Sequence, residues 1–535
     1  MLEKLSLPSL LGCLRVCGGL DLSLMKDWLK LQKDLYVTAR SELKKMTQPK
    51  PRNFQAYERR YLRDLDGLKK SSFEEFYRSQ RRADCFLIGD FHSFRQSQKQ
   101  LLRLLKDPRV RKPKSLGLET LPLELESELQ GYLKKPSPQK LKKLQRAWNL
   151  EEHWGSSWDT YKAILSLCQE LKIQVYSLGS TQASLEKRDQ MAARRALQQA
   201  RPSWLFIGEM HCARPHLARL LRLKSPDLEV LSLQQNEDRL ALKHLKQMKT
   251  KSSLMFLSQH PKLGEVFCLL HTLPWVKWQS DLNFKIRQEE GYSELDPHDQ
   301  ILWSLRTLKD FFEDRRYPSS IISKEAFDFQ AISSSDEDFL EALEKLSAAE
   351  QNWVLEQLEL EHVAVLSRQR RIFLSEVSLN SCAQAASLLL ISHWQQKQYF
   401  EFNFYRTSFL HALSFFLSKI LNHRRKSPSW DEWRKSLKRN GEQHKLDVLW
   451  RSRNFYRWGL KAEELRFQKQ EGLNFAAHAL GRWLADQCFE AFLAGEFSKQ
   501  RLTRICTSSF QSEEIAYLRL CELWSLARDF RSEPN

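Results

Sequence analysis

Phe86-Leu87-Ile88-Gly89-Asp90-Phe91-His92 and, much further along the chain, Leu205-Phe206-Ile207-Gly208-Glu209-Met210-His211 share one form. Each reads as an apolar strand, a glycine, an acid, an apolar residue and a histidine, and each has an arginine three residues on (Arg95, Arg214). Helical spacing follows both. Strands that each feed a helix build a parallel sheet, because parallel neighbours need a long crossover. Further short apolar runs at 115–118, 174–178 and 228–233 join those at 85–88 and 204–207, with helical spacings between them at 98–106, 161–171, 184–200 and 215–223. The expected fold class is therefore α/β, a mostly parallel sheet with flanking helices. A helical insert is expected at 122–149, hinged at Lys134-Lys135-Pro136-Ser137-Pro138.

Outward from this core the texture is helical. Trp28, Leu31 and Leu35, then Tyr57, Tyr61 and Leu65, fall at three- and four-residue spacings, so residues 1–80 form an N-terminal helical segment. The α/β domain spans 81–235, and the polar, basic stretch 236–254 reads as a linker. Residues 255–535 are expected to be a large all-α domain. Its helix starts are Asp296-Pro297, Ser335-x-x-Asp338 and the capping box Ser429-x-x-Glu432.

Composition agrees with a long, helix-rich chain. Among 535 residues there are only 17 glycines and 17 prolines, which excludes collagen-like, low-complexity and turn-rich all-β architectures. Lysine and arginine exceed acids by 85 to 66, a formal charge of +19 that suits anionic ligands, lipid or nucleic acid without specifying a fold. The ten cysteines form no CxxC pair, so no zinc ribbon or thioredoxin motif is present, and a reducing cytoplasm is the expected location. Leu10-Leu11-Gly12-Cys13 after Lys4 resembles a short lipobox, which makes a lipoprotein or periplasmic protein the alternative; a start at Met25 would remove it. The most apolar run, 407–421, is too short to cross a membrane and contains Lys419, so it reads as a buried helix.

The two motifs carry the chemistry. In an extended segment residues i and i+2 point the same way, so Asp90 is expected beside His92 and Glu209 beside His211. Gly89 and Gly208 let the backbone leave the strand close to a ligand, and the helix that follows offers free N–H groups to an anion. In open α/β sheets ligands bind beyond the carboxyl ends of the strands, where both motifs fall; Glu119, ending the run 115–118, belongs to the same rim. Two imidazoles and up to three carboxylates suit either a divalent metal or a division of acid and base roles.

The paired GxxH motifs, the glutamate after the second strand and the order of segments resemble the ChaN-like proteins of the haem-binding-uptake/Tiki superfamily, which also holds TraB/GumN-like and erythromycin esterase-like members. Trp158-Asp159-x-Tyr161-Lys162-x-Ile164-Leu165, Arg188-Asp189-Gln190-Met191-Ala192 and Ala200-Arg201-Pro202-Ser203-Trp204 extend the likeness over about 70–235. The resemblance implies haem binding at a surface site, across a homodimer in some members. In the Tiki and esterase-like relatives it implies hydrolysis of ester or amide bonds, sometimes metal-dependent. Carried over by position, the catalytic roles fall on His92, Glu119, His211 and Arg188, and a metal ion would take His92, His211 and Glu119. Asp90, Glu209, Gly89, Gly208, Arg95 and Arg214 would line the cofactor. Two departures mark the match: Asp90 stands where the family usually has glutamate, and no tyrosine can be assigned as the axial haem ligand.

Weaker signals are read structurally. Glu359-x-x-His362 has the spacing of a bundle metal-ligand pair but lacks a second copy. His393 and His411 lie in apolar helical segments and read as core histidines, and Asn380 and Glu376 as caps. Basic clusters at 140–146, 243–251, 368–371 and 423–426, the last followed by several tryptophans, are interleaved with acids and accompanied by no nucleic-acid motif. The leading expectation is a haem- or iron-binding protein whose ligand is haem or a small anion. A hydrolase is the alternative, and a basic scaffold or nucleic-acid binder the second alternative.

Overall fold

The computed structural model describes residues 22–179, 183–247, 253–260, 264–290, 296–312, 328–395, 403–458, 470–496, 498–508, 510 and 512–527. Cys13 and its lipobox-like surroundings lie outside the described residues. The chain divides into two compact units, residues 33–248 with 252–292, and residues 1–32 with 249–251 and 293–535.

The first unit is α/β. Its eight strands are β1 (Lys69–Ser71), β2 (Cys85–Asp90), β3 (Ser115–Leu118), β4 (Gln174–Ser177), β5 (Ser203–Gly208), β6 (Val230–Gln235), β7 (Leu254–His260) and β8 (Gly264–Leu270). They lie in the order β1-β7-β8-β6-β2-β5-β3-β4. The six from β8 to β4 run parallel, while β7 is antiparallel to both β8 and β1. Alternation along β2 and β5 sends Phe86, Ile88, Trp204 and Phe206 into one core and Cys85, Leu87, Leu205 and Ile207 into the other. Because both faces are covered, these strands appear in the sequence as unbroken apolar runs. Helices Arg95–Lys106 and Trp158–Glu170 cover the first face and Leu185–Leu197 the second. The insert forms helices Glu126–Lys134 and Pro138–Trp148, the latter capped by Ser137 with Pro138 in its first turn, at the hinge expected from the sequence.

Strand order fixes where the motifs meet. β2, β3 and β4 are laid down first, and β5 then enters between β2 and β3. Its register pairs Gly208 with Asp90 on one side and Phe206 with Leu118 on the other. Asp90, Gly208 and Glu119 therefore end three adjacent strands at one level.

Two expectations are corrected here. The stretch 236–254 does not read as a linker in the structure: Asp238–Lys243 is a helix, and β7 and β8 pair antiparallel and widen the sheet. The α/β unit consequently runs to residue 292, and β1 lies within the segment expected to be helical. β7 and β8 pair through their backbones, an arrangement that leaves little periodic signal once Ser258, Gln259 and His260 interrupt the apolar run.

The second unit is largely helical. Phe404–Leu421 is buried almost all round, which explains why apolar residues occur on all sides of it, and it packs against Leu379–Gln395, Gln470–Leu493 and Glu513–Ala527. The unit also holds a three-stranded sheet, β9 (Gln330–Ser333), β10 (Val363–Leu366) and β11 (Arg371–Leu374), in the order β10-β11-β9. These strands are four residues each, too short for an alternation signal. Helices begin as expected at Pro297 and, through the Ser429–Glu432 capping box, at Trp430. Near Ser335 the helix begins later, at Phe339. Among the described residues no helix is long and apolar enough to cross a membrane.

Candidate functional site

The strand ends of the α/β unit carry a cluster centred on Glu119. Its Oε2 accepts a hydrogen bond from the Gly208 N–H at 2.6 Å and faces His92 Nε2 at 3.5 Å. Its Oε1 accepts from Arg188 Nη1 at 3.0 Å and faces His211 Nε2 at 3.5 Å. Each imidazole has a carboxylate behind it: His92 Nδ1 lies 2.9 Å from Asp90 Oδ2, and His211 Nδ1 lies 2.7 Å from Asp189 Oδ1. Arg188 and Asp189 reach the site because Ser184 caps their helix by accepting from the Lys187 N–H, which puts both residues near its first turn.

Burial is uneven. His211 and Glu119 are enclosed, whereas His92 and Arg188 each keep about a quarter of the side chain exposed (25% and 24%), so a ligand reaches the cluster from their side. Trp154 meets the His92 ring edge-on at 4.4 Å, and Ser156 donates to the His92 carbonyl at 2.8 Å. Gln98 donates to Asp90 Oδ1 and to the His92 carbonyl, holding the first motif in its bend.

The charges reinforce one another. Burial alone would raise the Glu119 pKa, but His211, His92, the Gly208 N–H and Arg188 outweigh it and hold the carboxyl below its ordinary value. For His92, burial opposes the charged form, yet Asp90 and Glu119 raise its pKa overall. Asp90 goes up because burial exceeds the opposing effects of His92 and Gln98.

The expected site residues separate into two sets. His92, Glu119, His211, Arg188, Asp90 and Gly208 come together. Glu209 does not pair with His211, since after Gly208 the chain enters a 3-10 turn, Glu209–Cys212, and the i, i+2 rule for extended backbone lapses. Glu209 instead faces Lys277 Nζ at 3.9 Å, and burial pushes its pKa up to about 7 against the opposing charge of Lys277. Arg214 does not line the cluster either: its Nε donates to Asp64 Oδ1 and its backbone N–H to Asp64 Oδ2, both at 2.7 Å. Arg95 has its Nε 3.4 Å from Thr160 Oγ1, and Gly89 packs under Gln234 and the Glu209 backbone.

Two participants were not singled out from sequence. Asp189 backs His211, and Tyr57 donates to Asp189 Oδ2 at 2.7 Å while lying 2.9 Å from His211 Nδ1. Asp189 neighbours Arg188, and that adjacency was the only available signal. Tyr57 stacks on His216 at 3.6 Å from an N-terminal helix, a contact no local spacing reveals. Burial and Asp189 raise its pKa, so the phenol stays protonated.

The donor atoms of His92, Glu119 and His211 do not all lie within 4.8 Å of one another. Among the described residues, the groups whose donor atoms all lie within 4.8 Å of one another are Glu361, His411, His478 and, separately, Asp296, His298, Asp299. The Gly208 position has a further consequence. A Cβ there would lie 3.3 Å from Glu119 Oε2, 3.4 Å from His211 Cδ2 and 3.5 Å from His92 Nε2, and the backbone φ of −46° suits any residue. Gly208→Ala is thus expected to fold with a melting temperature close to wild type while occupying the space between the three donors. A binding titration of the folded variant checks this, with at least tenfold weaker ligand uptake as the expected result.

Comparison with curated proteins and with solved structures found no match to the chain. A family model does match: over residues 76–202, from the helix before β2 to the residue preceding β5, the α/β unit is similar to the family described as haem-binding uptake, Tiki superfamily, ChaN.

Proposed function

We propose that the strand-end cluster of the α/β unit is a haem- or iron-binding site of the ChaN kind, with His92 and His211 as nitrogen donors. One observation carries this reading: both imidazoles keep Nδ1 on a carboxylate and turn Nε2 toward a common third carboxylate. A carboxylate on Nδ1 fixes the tautomer whose Nε2 lone pair is free, the way metal-ligating histidines are generally held. Two such lone pairs facing Glu119 need a proton or a cation between them, and iron suits imidazole and carboxylate donors. The donor chemistry therefore fits iron. Tyr57 is not the tyrosine ligand of ChaN haem sites, because it is buried behind His211 with its hydroxyl on Asp189.

His92, the more exposed imidazole, is the donor an incoming ligand meets first, and His211 closes the site from beneath. Arg188 and the overall positive charge favour an anionic cargo such as haem with its propionates. Bound iron would contribute Lewis acidity or a redox couple; the chain contributes orientation and charge. The match over 76–202 supports the same class of ligand.

The test is a haemin titration of the purified full chain, together with its iron content. A Soret shift at near-stoichiometric haemin is expected, lost in His92→Ala. Asp90→Asn and Asp189→Asn, which disturb only the groups behind the imidazoles, are expected to weaken uptake by about 10–100-fold. No spectral change with haemin and no iron in the protein would sink the proposal.

A second reading, an acid–base hydrolase acting on an ester or amide, is favoured by the two carboxylate–imidazole pairs beside the Gly208 N–H and Arg188. Here His92→Ala and His211→Ala should each abolish turnover of chromogenic esters without loss of folding. Full activity in both variants would exclude this reading.

A further inference from the structure

The helical unit contains a second group of ionisable side chains, unrelated to the strand ends. Glu361 ends helix Ala348–Glu361, His411 lies within Phe404–Leu421, and His478 and Arg482 lie within Gln470–Leu493. Glu361 is fully enclosed and both histidines nearly so. Glu361 Oε2 accepts from Arg482 Nη2 at 2.7 Å and Nε at 3.2 Å. Its Oε1 lies 2.8 Å from His478 Nδ1 and 3.4 Å from His411 Nδ1. The two rings are 3.6 Å apart, centre to centre. His411 Nδ1 and His478 Nε2 have no hydrogen-bond partner.

We propose that Glu361, His411 and His478 form a binding site for a divalent transition-metal cation such as Zn²⁺ or Fe²⁺. One donor atom from each residue lies within 4.8 Å of the others. Donors at roughly 2.0–2.2 Å from a tetrahedral ion stand about 3.3–3.6 Å apart, so the spacing asks for little movement. Three helices converge to supply two imidazoles and one carboxylate, a set found at zinc and non-haem iron centres. A hydrogen bond from His478 engages Oε1 but leaves His411 Nδ1 beside the same oxygen without a partner. A buried polar atom left so is destabilising, and a coordinated cation would satisfy it.

Arg482 defines the role of the other carboxylate oxygen. By holding Oε2 it orients Oε1 toward the imidazoles, as outer groups orient ligating carboxylates. It also offsets the carboxylate charge, which works against Ca²⁺ or Mg²⁺, ions that require several oxygen ligands. The sequence reads His411 as a core histidine and offers only the nearby Glu359-x-x-His362 spacing, which is not read there as a metal site. The helix ends between Glu359 and His362: His362 adopts a left-handed φ of 64° and turns to Ser375, and it is Glu361 that enters the core.

The experiment uses the full chain carrying His92→Ala and His211→Ala, which removes the strand-end nitrogens. After chelator treatment and dialysis it is loaded with Zn²⁺ or Co²⁺ and its metal content measured. One retained equivalent is expected, with a tetrahedral visible spectrum for Co²⁺. Adding His411→Gln and His478→Gln should then abolish retention. Failure of the first protein to hold metal or to give a Co²⁺ spectrum overturns the site even if the second does not fold. Equal retention by a folded second protein also overturns it. Neither result depends on haem uptake at the strand ends.

Discussion

Glu119→Ala is expected to lower the stability of the α/β unit by about 3–5 kcal/mol and to abolish ligand uptake at the strand ends. The side chain is almost fully buried and has four partners: the Gly208 N–H, Arg188, His92 and His211. Removing it leaves a buried donor and two imidazoles without their counter-charge. Arg188, a quarter exposed, can turn to water, so the lower end of the range is expected. Glu119→Gln keeps an acceptor for Gly208 and should cost about half as much. Urea denaturation of the three proteins checks the series, and a loss below about 0.5 kcal/mol for alanine, typical of a surface change, would dissolve the network.

The same residue sets a pH dependence. Its carboxyl is held below its ordinary value in the folded protein, so the unfolded chain binds more protons across the interval between the two values. The stabilisation is complete above the unfolded carboxyl value of about 4.3 and is lost as pH falls through the folded one. Wild type should therefore lose stability in acid more steeply than Glu119→Gln, a difference thermal unfolding below pH 5 would reveal.

The parts of this cluster visible in sequence are those that local rules govern. Strands β2 to β6 were legible because burial on both faces gives each a short apolar run, and their carboxyl ends fix the rim. Asp90 and His92 were legible as a pair because the first motif stays extended to Asp90. The second motif has the same letters but folds into a 3-10 turn, so its acid departs and Asp189 takes its place behind His211. Nothing within the motif distinguishes the two outcomes. They follow from which strand ends are neighbours. Asp64 on Arg214, Tyr57 on Asp189 and Lys277 facing Glu209 are likewise set by packing between distant segments, which periodicity does not encode. The β7–β8 pair was missed for a related reason: its pairing is a backbone property, and the basic stretch before it resembles a boundary.

Asp486→Ala is expected to destabilise the helical unit by about 3–5 kcal/mol, the other large effect. Lys419 lies within the apolar-rich helix Phe404–Leu421 and is completely buried there. Its ammonium donates to Asp486 Oδ1 at 2.7 Å, to the Arg425 carbonyl at 2.6 Å and to the His423 carbonyl at 3.2 Å. Asp486 Oδ2 also accepts from the Ser427 N–H at 3.1 Å. Burial lowers the Lys419 pKa against the opposing pull of Asp486, so removing the aspartate leaves a buried ammonium with two carbonyls and the Phe415 and Phe489 rings but without its paired carboxylate. An uncompensated charge costs more than the pair contributes, which separates two variants. The double change Lys419→Met with Asp486→Ala removes both charges and should recover at least half of the loss seen for Asp486→Ala alone. A double-mutant cycle in urea measures the coupling. Additive losses would mean that the lysine makes its hydrogen bonds without needing the carboxylate, and that the Lys419–Asp486 pair does not organise this end of the helix.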